Sequence, residues 1–162
     1  LSSQAASCAP KSRGALWLVS MMRGAMTKAT TLEMADAIVA LLEAAGLSAS
    51  LGEAPAVLNP PHVIVWPGSG FETFTDLGRP IGDLLLSVQL TCIGATVQQA
   101  QWAADKARTA INRAIPDPIN DYTFWPIYAE QASQPVRKDD QVTPPMYVAT
   151  SRWILRSTPT VT

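Results

Sequence analysis

Apolar residues along this chain recur with two different periods, and the switches between them divide it into elements. Met34, Ala37, Ile38, Leu41, Leu42 and Ala45 recur every three or four residues, which predicts a helix from about Thr31 to Ala45 with one buried stripe. Thr30 and Glu33 form a capping box at its start. Gly46 supplies its stop, with Leu47 able to fold back on the helix. A short strand is expected at Leu47 to Leu51. His62-Val63-Ile64-Val65-Trp66, entered through Pro60-Pro61 and closed by Pro67-Gly68-Ser69-Gly70, reads as a second strand. Phe71 to Pro80 reads as a loop. Asp83 then opens the strand around which the rest is organised: Leu84, Leu86, Val88, Leu90 and Cys92 point one way, Ser87, Gln89 and Thr91 the other. After a turn at Gly94-Ala95, Thr96 and Gln99 make a second capping box. Val97, Ala100, Ala104, Ala107, Ile111 and Ile115 form a narrow apolar stripe that runs to Pro116. Its alanines let this second helix lie close against a sheet.

Asp117 to Pro126 is a connector rich in Pro, Asn and Asp, followed by a strand near Ile127 to Gln131. Gln134 to Pro145 is polar, charged and bracketed by proline, so it reads as a long hairpin tip. The last strand is expected from Met146 to Arg156, with Tyr147, Ala149, Ser151, Trp153 and Leu155 on one face and Val148, Thr150, Arg152 and Arg156 on the other. Residues 157–162 read as a frayed tail and residues 1–29 as a weakly structured arm or leader. That arm carries Lys11, Arg13, Arg23 and Lys28 but no acid. Its apolar run, Ala15 to Met22, lacks the length and cleavage site of a signal peptide, and Met26 would make a natural first residue. The element order is α-β-β-β-α-β-β. Short connections between grouped strands predict a single α+β domain over residues 30–156, with two helices on one face of a mostly antiparallel sheet.

One residue departs from the pattern. Trp102 lies roughly 160° around the second helix from its stripe, at about 100° per residue, and shares a face with Lys106, Thr109 and Arg113. An aromatic there needs a cover, either a nearby loop or another subunit.

Composition narrows the function classes. The 162 residues are 48% apolar with a formal charge of -1, so neither disorder nor a basic duplex-DNA surface is indicated. Cys8 and Cys92 are the two cysteines, too few for a disulfide framework. No run approaches the ~20 apolar residues of a membrane helix. His62 is the one histidine, and no His/Cys/Asp/Glu group has metal-ligand spacing. Pro67-Gly68-Ser69-Gly70 lacks the lysine and following helix of a phosphate loop. Asp139-Asp140 sits beside Arg137-Lys138 as a solvated charge run. The inventory argues against an enzyme and a cofactor and leaves surfaces for assembly.

The strand–helix stretch Val88 to Arg108 resembles the tail terminator proteins of long-tailed, siphovirus-type phages and prophages of actinobacteria. Val88, Gln89, Thr91, Cys92 and Gly94 match a strand of the type V-Q-h-T-C-h-G. Gln99, Ala100, Gln101, Trp102, Ala104, Asp105, Lys106 and Arg108 match the helix that follows it in that family. The Pro-rich entry at Pro60-Pro61 and the capped first helix are similar too, and the likeness spans roughly Met26 to Arg156. It implies a small domain with a sheet and two helices. Copies would form a homo-hexameric ring that caps the tail tube, stops its elongation and joins the head connector. The partners implied are the chain itself, the tube protein and the connector, with DNA passing through the lumen without specific binding. The place implied is the head-proximal end of the virion tail, with assembly in the host cytoplasm. Contact residues do not transfer by motif. On physical grounds Trp102, Lys106 and Arg113 are candidates for subunit contact, and Arg137, Lys138, Asp139, Asp140, Arg152 and Arg156 for contact with tube or connector. Another connector, stopper or tail-completion protein is the nearest alternative. A ligand-binding or enzymatic domain with a pocket near His62, Trp66 and the loop to Arg79 is a third reading.

Overall fold

A computed structural model of the chain describes residues 28–73, 82–131 and 134–160. The expected leader up to residue 27, most of the loop before the long strand, and the last two residues of the tail lie outside the described residues. Helix α1 (Thr31–Ala44) has the expected capping box, with the Thr30 side chain accepting from the Glu33 N–H and the Glu33 carboxylate accepting from the Thr30 N–H. Those bonds hold the Glu33 carboxyl below its ordinary range. Its buried residues are Met34, Ala35, Ile38 and Leu42. Lys28 and Ala29 belong to the domain rather than to an arm: Ala29 is buried, and Lys28 pairs with Glu72 at 2.7 Å.

Eight strands form one sheet among the described residues: β1 (Ser48–Leu51), β2 (His62–Pro67), β3 (Phe71–Thr73), β4 (Asp83–Gly94), β5 (Tyr122–Phe124), β6 (Tyr128–Gln131), β7 (Arg137–Asp139) and β8 (Met146–Pro159). The sheet has β4 and β8 at its centre, paired antiparallel from Leu84↔Ser157 to Gly94↔Tyr147. On the other side of β4 run β2 and, further along, β3. β1 lies outside β2 and parallel to it, so the sheet is mixed rather than wholly antiparallel. Along the free side of β8, β5, β6 and β7 run end to end as one interrupted antiparallel lane.

Three short strands therefore add to the expected order. Phe71–Thr73 pairs with β4 instead of looping free. The connector contributes β5, and the start of the supposed hairpin tip contributes β7, so the tip itself is residues 140–145. Nor is the chain frayed at Ser157. That residue is buried, its hydroxyl faces Met34 Sδ at 3.9 Å, and β8 continues to Pro159 against β5.

Helix α2 (Val97–Ile111) buries Ala100, Ala103, Ala107 and Ile111. The stripe is thus turned from the expected one, with Val97 and Ile115 exposed at its former ends. The Thr96 side chain caps the Gln99 N–H, but Gln99 Oε1 accepts from the Ala95 N–H rather than closing a box on Thr96. The helix stops four residues before Ile115 because the chain is recruited elsewhere. Asn112 is extended, Arg113 takes φ +62°, and the Arg113 N–H donates to the Ile127 carbonyl while the Ile127 N–H donates to that of Ala114.

Both helices cover the same face of the sheet. Val63 and Val65 on β2, Leu86, Val88, Leu90 and Cys92 on β4, and Ala149, Trp153 and Leu155 on β8 meet them in one apolar core. α1 packs over β1 and β2, and α2 over β4 and β8. The coarse expectation of an α+β domain with two helices on one face is met.

Candidate interaction surface

A strand whose alternate residues enter a core must present the others to the opposite side. On the helix-free side of this sheet the register sets those residues in rows. Phe71, Leu85 and Arg156 form one row. Ser87, Ile154 and Tyr128 form the next. Trp66, Gln89, Arg152 and Gln131 follow. Trp125 joins the first row, its N–H donating to the Arg156 carbonyl. Among the described residues Trp66 (39%), Phe71 (55%), Trp125 (51%) and Tyr128 (51%) are the exposed aromatics of this face. The sequence reading missed Phe71, Trp125 and Tyr128 as surface candidates and named Trp66 only for a ligand pocket, although strand alternation marks Trp66 as the outward neighbour of buried Val65.

Polar groups between these rings are largely partnered. Arg156 Nε donates to Asp83 Oδ2 at 2.9 Å, and its guanidinium lies 4.8 Å from the Trp125 ring centroid. Trp125 Nε1 donates to Thr158 Oγ1 at 2.7 Å and Trp66 Nε1 to Thr91 Oγ1 at 3.1 Å. Ser87 Oγ donates to Glu130 at 2.7 Å. Arg156 is therefore a fixed part of the face rather than a free charge. Arg152 differs. It is exposed, has no ion pair among the described residues, and borders a hollow of about 210 Å³ shared with Gln89, Gln131, Gln134, Thr150 and Ser151. Amides and hydroxyls line this hollow, and no carboxylate does.

At the far end of the same face the segment 52–61 and the β7–β8 hairpin fold over the sheet. Between them lies a mainly apolar hollow of about 520 Å³, floored by Ile93 and Val148 and walled by Val57, Leu58, Val142 and Met146. Cross-strand register puts Arg137 and Asp139 on this face and Lys138 on the other. Asp139 accepts from the Gln141 N–H at 3.0 Å, and Lys138 pairs with Asp140, which raises the lysine above its ordinary range.

The helix layer carries the remaining candidates. Trp102 is 49% exposed, and Lys106 Nζ stands 4.7 Å from its ring centroid while donating to the Gly46 carbonyl at 3.3 Å. This pair ties α2 to the C-terminal end of α1. Arg113 lies beyond the helix, which ends at Ile111, in a left-handed turn, so helical spacing no longer groups it with Trp102 and Lys106. The nine candidates therefore divide. Arg137, Asp139, Arg152 and Arg156 share the open sheet face, Trp102 and Lys106 sit together on the helix layer, Lys138 and Asp140 pair with each other, and Arg113 belongs to none of these groups.

Little of this geometry is arranged for bond-making. Burial pushes the Cys92 thiol up to about 12, the opposite of an activated nucleophile. Burial also lowers His62. Its Nε2 lies 2.9 Å from Ser50 Oγ, and that hydroxyl donates to the Glu53 carbonyl at 2.7 Å. With its proton directed at Glu53, Ser50 accepts from His62, an arrangement that tethers the 52–61 segment rather than activating a nucleophile. Arg79 of the third reading lies outside the described residues. Among the described residues no three His, Cys, Asp or Glu side chains gather to hold a metal, and no helix is long and apolar enough to cross a membrane. The fold defines an α+β domain with helices on one face and an aromatic-rich sheet on the other. No protein-family model matches the chain, and no curated protein matches it.

Proposed function

We propose that this chain is a tail terminator, a structural subunit that assembles into a hexameric ring on the end of a phage tail tube, halts tube growth and presents the joint for the head connector. A closed ring of identical subunits uses a heterologous interface, so each subunit needs two unlike surfaces that match. The observation that carries the reading is the open sheet face, where Trp66 and Tyr128 lie in the rows at and beside Arg152 and Phe71 and Trp125 in the row of Arg156, set opposite a helix layer with its own exposed Trp102. Trp, Tyr and Arg are the residues most enriched where interfaces bind tightly. The strand–helix stretch that resembles the family also folds as a unit, with Gly94 at the end of β4 lying against the first turn of α2. In this reading the charged hairpin around Arg137, Lys138, Asp139 and Asp140 meets tube or connector, and DNA passes the lumen without being gripped.

Native mass spectrometry of the full chain, alone and with its tail-tube protein, tests the proposal. A sixfold species in either sample is the expected result. A monomer that ignores the tube would overturn it and return weight to a different connector.

A further inference from the structure

Near the centre of the open sheet face Arg152 has no ion pair among the described residues, and the helix layer carries the opposite charge. Helix α1 contains Glu33, Asp36 and Glu43 and no Lys or Arg. Glu33 is spent on the capping box, whereas Asp36 and Glu43 are exposed and have no ion pair among the described residues. At about 100° per residue, Leu32, Asp36, Ala40 and Glu43 fall within roughly 80° of one another. They form a single exposed stripe with an apolar residue at one end, Leu32 being 57% exposed. On the sheet, Arg152 projects beside a hollow with no carboxylate in its lining, between Trp66 in its own row and Tyr128 in the next. Glu130 on the same face is held by Ser87.

We propose that Arg152 on the open sheet face of one copy receives the acidic stripe of α1, Asp36 and Glu43, from a second copy of this chain. One carboxylate pairs with the planar guanidinium, and the Gln and Thr groups of the hollow can donate to the other, two helical turns or about 10 Å along α1. Leu32 then meets the aromatic rows. The two patches are different and lie on opposite layers of one subunit, so the contact is heterologous and propagates from copy to copy. This deepens the assembly reading above and rests on its self-association, not on the tube. A single unpaired arginine among neutral groups is too little charge to bind duplex DNA, which needs several phosphate contacts.

The test is a charge swap in the full chain, with assembly followed by sedimentation velocity and native mass spectrometry and folding by circular dichroism. Arg152→Glu is expected to weaken self-association by at least about thirtyfold, the scale of a buried arginine anchor. Asp36→Arg with Glu43→Arg should do the same. Mixing these two folded, unassembled variants restores both contacts in alternation, so assembly should return, as it should in the triple variant. Assembly of Arg152→Glu at wild-type strength, or a folded triple variant that stays apart, overturns the contact while leaving the ring reading standing. Wild-type chain that stays monomeric with and without tube protein overturns both. Swap-dependent assembly that does not close at six copies and ignores the tube supports the contact and removes the terminator reading. Salt-sensitive duplex binding abolished by Arg152→Glu, with assembly unchanged, would give the arginine to nucleic acid instead.

Discussion

Replacing Gly94 with alanine tests how the organising strand is joined to its helix. Gly94 ends β4, and its backbone is not in the left-handed region, so conformational preference does not require glycine there. Space does. A Cβ at this position would sit 2.3 Å from the Ala100 nitrogen and 2.9 Å from both the Ala100 Cα and the Gln99 carbonyl carbon. These are backbone atoms of the first turn of α2, which cannot swing aside as a side chain can. The turn must retreat by about 1 Å, carrying Ala100 and Ala103 away from the core. Overpacking typically costs ~1–3 kcal/mol, and a clash with helix backbone belongs at the top of that range. We expect Gly94→Ala to lose about 3 kcal/mol, which lowers the melting temperature by about 10 °C for a chain of this size. Urea unfolding followed by far-ultraviolet circular dichroism measures this directly. Gly52→Ala is the control. Gly52 has φ +74° with nothing within 4 Å of the added carbon, so only backbone strain is paid, about 1 kcal/mol. A Gly94→Ala loss no larger than that of Gly52→Ala would refute the close approach of strand and helix.

Arg156→Leu leaves the buried Asp83 carboxylate without its guanidinium, and a loss of about 2 kcal/mol is expected in urea unfolding, moderated because Arg156 itself is 40% exposed. An unchanged midpoint would show that solvent already satisfies Asp83. In a Cys8→Ser background Cys92 should resist thiol reagents at pH 8 until the protein unfolds, and fast labelling of the native chain would contradict its burial. Because its folded value, about 12, exceeds the ordinary 9.0, the unfolded thiol ionises first, so stability is full below pH 9 and falls as pH rises above it. Trp102→Ala removes an exposed ring and its contact with Lys106, which should cost under about 1 kcal/mol in stability. It should nevertheless weaken self-association, and unchanged association would exclude Trp102 from the interface.

Much of the helix layer and the long central strand was legible in sequence because the causes are local. The caps Thr30 and Thr96 act within three residues, and the alternation from Leu84 to Cys92 repeats over the length of one strand. The strand–helix junction around Gly94 was visible for the same reason. Tertiary structure decided what no local pattern encodes. β3, β5 and β7 are three residues each and have no alternation long enough to read; they are strands because β4 and β8 offer unpaired backbone groups beside them. α2 ends at Ile111 rather than at Pro116 because Arg113 and Ala114 pair with Ile127, far along the chain. The candidate surface is the clearest case. Trp66, Phe71, Trp125, Tyr128 and Arg152 come from β2, β3, the turn after β5, β6 and β8, and only sheet register sets them side by side. Hydrophobic periodicity tells which residues leave solvent, but the neighbours of those that remain outside are fixed by which strands pair, and in what order.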